Sequence, residues 1–445
     1  MQSAKITLLL IFALFQSLYS QSIYKLPEGK TSDKIRFELI NNVILIPVEV
    51  NGLELTFLLD TGVSKPIVFN FLKAADSLQI LNAEKIKVRG LGNGNDLEAL
   101  RSSHNTFKIG EAVNSDQAFY AVFDPELNFA PKIGIPIDGI IGYDFFKDFI
   151  VEINYNRKFI KIKRPSEYKL RTCKRCKVLQ LNLENNRPYI LSYVDIGANK
   201  NIPVNLLLDS GNSDALWLFE DKVNNIQLKQ KSFIDYLGTG LNGSVYGRRS
   251  KIKKITLGMF DIEQPTVAFP DTLAVNFMRS YEGRNGSLGG EILKRFNSVF
   301  DYSNSRLMLK PNSYYKDKFS YNKSGILVEN SGVRMVMELN AKQNSAVSYK
   351  DEKSININSI IKPNYKYNLK PVYTIYEVLP NSPAEKAGLL RGDEIVYINN
   401  RSTQDMTLEK LTGYFYKDSG EELKFVVIRN GIERKFAITL KSPIE

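Results

Sequence analysis

Two aspartates in this chain sit in nearly the same local sequence. Leu58-Leu59-Asp60-Thr61-Gly62 is echoed 149 positions later by Leu207-Leu208-Asp209-Ser210-Gly211. In each copy an apolar run reads as a buried strand that holds the carboxylate at its end. The glycine lets the backbone turn tightly and offer its amide, and the hydroxyl of Thr61 or Ser210 can brace the turn by hydrogen bonds. A lone Asp-Thr-Gly carries little weight, because Asp and Gly mark ordinary turns. Two such turns facing each other would bring two carboxylates into contact. Like charges that close cannot both ionise cheaply, so the pair is expected to share one proton and titrate in two coupled steps. One carboxylate can then act as base toward a water while its protonated partner polarises a carbonyl, with no covalent intermediate.

The elements that must position these residues are themselves repeated. Gly90-Leu91-Gly92 matches Gly238-Thr239-Gly240, and Lys108-Ile109-Gly110 matches Thr256-Leu257-Gly258. Gly139-Ile140-Ile141-Gly142 matches Gly286-Ser287-Leu288-Gly289, and Asn154-Tyr155 matches Asp301-Tyr302. Matches in the same order at so long a period indicate a duplicated lobe rather than a solenoid. Short apolar runs such as Val43 to Ile46, Thr56 to Leu59 and Phe149 to Ile153, punctuated by Gly and Asn, read as strands joined by turns. The predicted fold class is mainly β, with two homologous lobes at 33–166 and 177–312, followed by an α+β domain at 318–442.

These residues resemble the aspartic peptidases of the pepsin and retropepsin superfamily, whose pattern is apolar-apolar-Asp-Thr/Ser-Gly followed in the same lobe by apolar-apolar-Gly. Lobe 1 carries both parts; in lobe 2, Ser287 departs from the apolar preference. The resemblance runs from about Asp33 to Pro311 and is closest to bacterial retropepsin-like proteases bearing a PDZ domain. It implies that Asp60 and Asp209 are catalytic, with Thr61, Gly62, Ser210 and Gly211 in support, and that no cofactor or metal takes part. It also implies a β-hairpin flap over the cleft, for which the glycine-rich tips Gly90, Gly92 and Gly94 or Gly238 and Gly240 are the candidates.

Near the C-terminus, residues Val378 to Asn399 closely resemble bacterial PDZ domains. Ser382 is placed to cap a short helix with Pro383 at its first turn and Gly388 at its end. Glu394 to Ile398 reads as a strand, Thr407 to Tyr416 has helical spacing, and Asn430-Gly431 marks a hairpin. PDZ domains bind an extended peptide as an added strand, often through its C-terminal carboxylate. Ser324-Gly325-Ile326-Leu327 is the candidate loop for that carboxylate. It is separated from Val378 by a stretch at about 340–370 rich in Asn, Lys and Ser, read as a polar surface insertion.

Composition narrows the remaining classes. The chain has 445 residues, 43% hydrophobic and 24% charged, which suits two or three soluble domains. Its net charge of +12 comes from scattered lysines that usually alternate with acids, so no nucleic-acid role is expected. Lys5 followed by the apolar run Ile6 to Phe15 reads as a signal peptide over residues 1–20, too short for a stable membrane anchor. Export to the periplasm or outside the cell is therefore expected. Cys173 and Cys176 are the only cysteines and His104 the only histidine, which argues against a Cys/His zinc site and for a local disulfide. His104 lies near no nucleophile-like turn, so Ser-His or Cys-His chemistry is disfavoured. The reading that results is an exported aspartic endopeptidase acting on polypeptides, with the PDZ-like domain recruiting substrates or protein C-termini. Duplication supplies both aspartates from one chain, so a monomer is expected. The alternative is an inactive, protease-like peptide-binding protein or adaptor.

Overall fold

The structure is a computed structural model that describes residues 22–69, 80–88, 90, 96–124, 128–170, 173–228, 230–240, 242–272, 283–339, 346–347, 360–361 and 365–444. The signal segment, Gly92, Gly94 and much of the stretch expected as a polar insertion lie outside these residues. Two compact units are present, one holding both lobes and the other the C-terminal domain.

In the first unit, each lobe is built on its own twisted β-sheet. The lobe 1 sheet has eight strands among the described residues, with Leu53–Leu59 beside Gly139–Ile141 at its centre. Phe57, Leu58 and Leu59 pair in parallel with Gly139, Ile140 and Ile141. Lobe 2 repeats the arrangement: Leu206 to Asp209 pair in parallel with Gly286 to Gly289. Both central pairs are anchored alike at their rear. The Thr56 amide donates to Asp138 Oδ2 at 2.8 Å, and the Asn205 amide donates to Asn285 Oδ1 at 2.8 Å. Phe57, Leu59, Leu206 and Leu208 are fully buried, each contributing about 1.5–3 kcal/mol to holding its strand in place.

A third, six-stranded sheet ties the lobes together, three strands from each, in the order Ser32–Arg36, Phe159–Lys163, Ile150–Asn154, Phe296–Asp301, Arg306–Pro311, Lys177–Gln180. The lobes meet where Val151, Glu152 and Ile153 pair antiparallel with Phe300, Val299 and Ser298. One continuous core runs through all three sheets, which makes the relative position of the two central turns a property of packing. Cys173 and Cys176, in the linker between the lobes, form a disulfide.

The second unit has a core of its own, including Ile326, Ile375, Ile395, Leu411 and Phe425. Its sheet runs in the order Ile326–Leu339, Tyr365–Val378, Glu394–Ile398, Glu422–Arg429, Ile432–Thr439, with helices Pro383–Ala387 and Leu408–Gly413. The Ser382 hydroxyl caps the first helix by accepting from the Glu385 amide, and Gly388 ends it at φ +85°. Two features differ from the sequence reading. The strand Tyr365–Val378 takes up residues expected in the polar insertion, because a strand partner satisfies their backbone groups. In addition, Ala130–Ile135, expected within lobe 1, groups with the second unit, where its single helical turn lies against Ile326–Leu339.

Candidate active site

Asp60 and Asp209 leave the ends of the two central strands and are brought face to face. The Gly62 amide donates to Asp60 Oδ1 at 2.7 Å, and the Asn212 amide donates to Asp209 Oδ1 at 3.1 Å. A methyl group on Gly62 would lie 3.1 Å from Asp60 Oδ1 and 3.5 Å from Asp209 Oδ1, within touch of both carboxylates. One on Gly211 would lie 2.5 Å from Asp60 Cγ, closer than atoms can approach. Glycine is required there because the opposite carboxylate occupies the space of a side chain.

Beneath the carboxylates, the two hydroxyl residues cross-link the turns reciprocally. Thr61 Oγ1 donates to the Leu208 carbonyl at 2.7 Å and accepts from the Ser210 amide at 3.1 Å. Ser210 Oγ donates to the Leu59 carbonyl at 2.8 Å and accepts from the Thr61 amide at 3.0 Å. Both residues are buried, and four backbone groups are bonded across the lobe boundary. The lattice fixes the separation of the turns, and with it that of the carboxylates.

Two arginines that sequence reasoning passed over complete the site. Arg187 Nε donates to the Gly62 carbonyl at 3.0 Å, on the turn that carries Asp60. Arg284 donates to the Gly286 carbonyl at 3.2 Å and to Ser287 Oγ at 2.6 Å, on the strand paired with that of Asp209. Ser287, the departure from the apolar pattern, therefore serves as the hydrogen-bond acceptor for a half-buried guanidinium. That polar residue within an otherwise apolar motif was the available signal for Arg284. Arg187 had none, since it lies more than twenty residues before Asp209, at the start of the strand Arg187–Ile196.

Burial and the charge of Asp209 push the Asp60 carboxyl up to about 7, against the opposing pull of the Gly62 and Gly211 amides and of Arg187. Asp209 is also raised by burial, but Arg284 leads the groups that draw it back, followed by the Asn212 amide, Arg187 and the Gly211 amide. Burial holds both carboxyls above the ordinary carboxylate range, and Arg284 is the leading positive charge acting on Asp209. Burial and the Asp60 charge likewise raise the Tyr302 phenol, so it stays neutral.

The two glycine-bearing hairpins also meet. Phe233–Gly240 and Gly243–Lys251 form the lobe 2 hairpin, with Tyr236 opposite Tyr246 and Gly240 opposite Gly243. Gly238 takes a φ of +150° beside a register shift. The Gly90 amide of lobe 1 donates to the side-chain carbonyl of Asn242, which lies in the turn of that hairpin and is buried. His104 is remote from this chemistry and pairs on the surface with Asp116 at 2.6 Å. Among the described residues, no group of three or more His, Cys, Asp or Glu side chains is arranged to hold a metal ion.

In the second unit, Ser324, Gly325, Ile326 and Leu327 open the edge strand, but their amides are largely spent internally. The Ser324 and Gly325 amides both donate to Asn322 Oδ1, at 3.0 and 3.3 Å, and the Ile326 amide donates to Ser324 Oγ at 3.2 Å. Gly325 has φ +80° and no room for a side chain against Ser382.

Residues 46–145 and 194–292 match the aspartyl protease family model, and residues 374–429 match that of the PDZ domain. The chain thus carries two repeats that match the aspartyl protease domain, followed by a PDZ domain. A stretch of 65 residues is 38% identical to the probable protease eep of Enterococcus faecalis (strain ATCC 700802 / V583). This stretch is 15% of this chain and spans 15% of the length of that protein. The crystal structure of an aspartic proteinase from Irpex lacteus matches with a TM-score of 0.41 at 13% identity, covering 64% of this chain and 99% of that one.

Proposed function

We propose that the protein is an exported aspartic endopeptidase in which Asp60 and Asp209 share one proton and activate a water for attack on a peptide carbonyl. The observation that carries this reading is the hydroxyl lattice of Thr61 and Ser210, which holds two half-buried carboxylates together at a cost that a purely structural turn would avoid. Arg284 favours Asp209 as the ionised partner. Asp209 then takes a proton from the water as its oxygen bonds to the carbonyl carbon, while Asp60 donates its proton to the carbonyl oxygen. When the tetrahedral adduct collapses, Asp209 passes its proton to the departing nitrogen, and Asp60 recovers one from the adduct hydroxyl. Each carboxyl ends as it began.

For the PDZ domain, the internal use of the Ser324 and Gly325 amides favours docking of extended polypeptide along a strand over capture of a free C-terminal carboxylate. Export rests on the apolar run after Lys5, and the Cys173–Cys176 disulfide suits an oxidising compartment. The direct test is incubation of the mature chain with a diverse peptide mixture from acidic to neutral pH, read by mass spectrometry. The reading expects internal cleavage that Asp60→Asn and Asp209→Asn each abolish. Peptide binding without cleavage at any pH would instead identify a binding protein.

A further inference from the structure

The antiparallel hairpin of Ile326–Leu339 and Tyr365–Val378 runs beyond the sheet to which it belongs. Its only register contact with the neighbouring strand Glu394–Ile398 is Thr374 opposite Glu394. From Val333 and Pro371 outward, the described part of the hairpin is a two-stranded ribbon. Residues directly opposite in an antiparallel pair share a face. One face therefore carries Val333 with Pro371, Met335 with Leu369, Met337 with Tyr367, and Leu339 with Tyr365, and no charge. Apart from Pro371, these side chains are 46–69% exposed. The opposite face carries the ribbon's charges, Arg334, Glu338, Lys366 and Lys370, beside Val336 and Asn368. Arg334 pairs with Glu394 at 2.7 Å, and Lys370 bridges Glu338 and Asp405 at 2.8 Å each.

We infer that this apolar ribbon face is a dimerisation surface, on which a second copy of the chain lays the same face across a two-fold axis. At about 100 Å² per side chain, the face offers on the order of 700 Å² of apolar surface, beyond the few hundred Å² that monomers usually expose. That is close to one partner's share of a standard interface, so two copies reach the ~1,200–2,000 Å² range of stable association. A two-fold contact must be self-complementary, and a flat face apolar on both strands meets that condition. Met and Tyr are enriched in such contacts, and charge is depleted. Because Arg334 and Lys370 are already paired, the back of the ribbon supplies no free cationic pair to draw it onto an anionic lipid surface. The catalytic pair comes from one chain, so dimerisation is independent of the dyad.

The test is sedimentation velocity of the mature full-length chain from about 0.5 to 50 µM, beside Met335→Lys/Leu369→Glu. The wild type is expected to dimerise with a Kd on the order of micromolar, and the double variant to dissociate at least about 100-fold more readily. Peptide cleavage by the variant should be unchanged. Because Cys173 and Cys176 are bonded to each other, Met337→Cys introduces a single free thiol, expected to cross-link two chains on mild oxidation. A wild type that stays monomeric throughout, or a dimer indifferent to the double variant, overturns the inference. So does a monomer that instead binds phosphatidylcholine or phosphatidylglycerol vesicles through this face, which would assign the ribbon to lipid. These readouts are masses and cross-links, so they stand whether or not the dyad cleaves peptides.

Discussion

The two lobes share a scaffold almost residue for residue and differ in what surrounds it. Both end a buried strand on an aspartate, and both anchor the neighbouring strand by a side-chain oxygen, Asp138 or Asn285. The residue just before that anchor is Ile137 in lobe 1, buried in apolar surroundings, and Arg284 in lobe 2. At the position of Arg187, set by strand register, lobe 1 has buried Val43. Duplication thus supplies two equal carboxylates, and the arginines make them unequal. The carboxylates are alike in local sequence, whereas the positive charge around them is not.

Replacing either carboxylate tests the part that is shared. Asp60→Asn and Asp209→Asn are each expected to lower kcat/KM by at least about 1,000-fold, measured on a peptide that the wild type cleaves. A variant keeping most of its activity would remove that aspartate from the mechanism. The hydroxyl lattice should also behave symmetrically. Thr61→Val and Ser210→Ala each leave buried backbone groups unpaired and should cost about 1–3 kcal/mol in denaturant unfolding. Because the two hydroxyl residues bond each other's turns, the double variant should lose less than the two losses added together.

Removing the asymmetry gives a smaller effect with a more specific signature. Arg284→Leu takes away the leading positive charge beside Asp209, which raises its affinity for a proton. The acid limb of the pH–rate profile should move to higher pH, with about tenfold lost at the wild-type acid edge. Arg284→Lys should restore the limb substantially. A profile unmoved by Arg284→Leu would leave that arginine a packing role only.

A further signature lies in the pH dependence of stability. Asp60 has a folded-state value of about 7, above the ordinary carboxylate range. Between pH ~4 and ~7 the folded protein holds a proton that the unfolded chain has released, so its stability falls as pH rises through this window and levels off above it. Subtracting the Tm-versus-pH curve of Asp60→Asn from that of the wild type should isolate this slope. The same protonation predicts that activity falls as pH rises through about 7, where the pair loses its shared proton.

Legibility followed the repeat. Asp60, Asp209 and their supporting Thr, Ser and Gly residues stand out because each appears twice in the same order, and the PDZ helices because their caps are local. Arg187 was not legible, since it lies outside every repeated motif and bonds a turn 125 residues away, while Arg284 left only the indirect trace of Ser287. The ribbon was half legible. The alternation Val333, Met335, Met337, Leu339 signals one apolar face, but the polar stretch after it drew its returning strand into an expected insertion. Nothing in Ser324-Gly325 warned that Asn322 would claim its amides.

By itself, then, the sequence determined what is local or repeated: two aspartate turns at the ends of apolar strands, their hydroxyl and glycine supports, and the order of the domains. Tertiary structure alone decided which arginines flank the carboxyls, how the hydroxyls interlock and where the ribbon's returning strand runs. The physical reason is range. Strand, turn and cap preferences act over a few residues, whereas electrostatic environment, reciprocal hydrogen bonding and burial depend on groups that folding brings together from tens to more than a hundred positions apart.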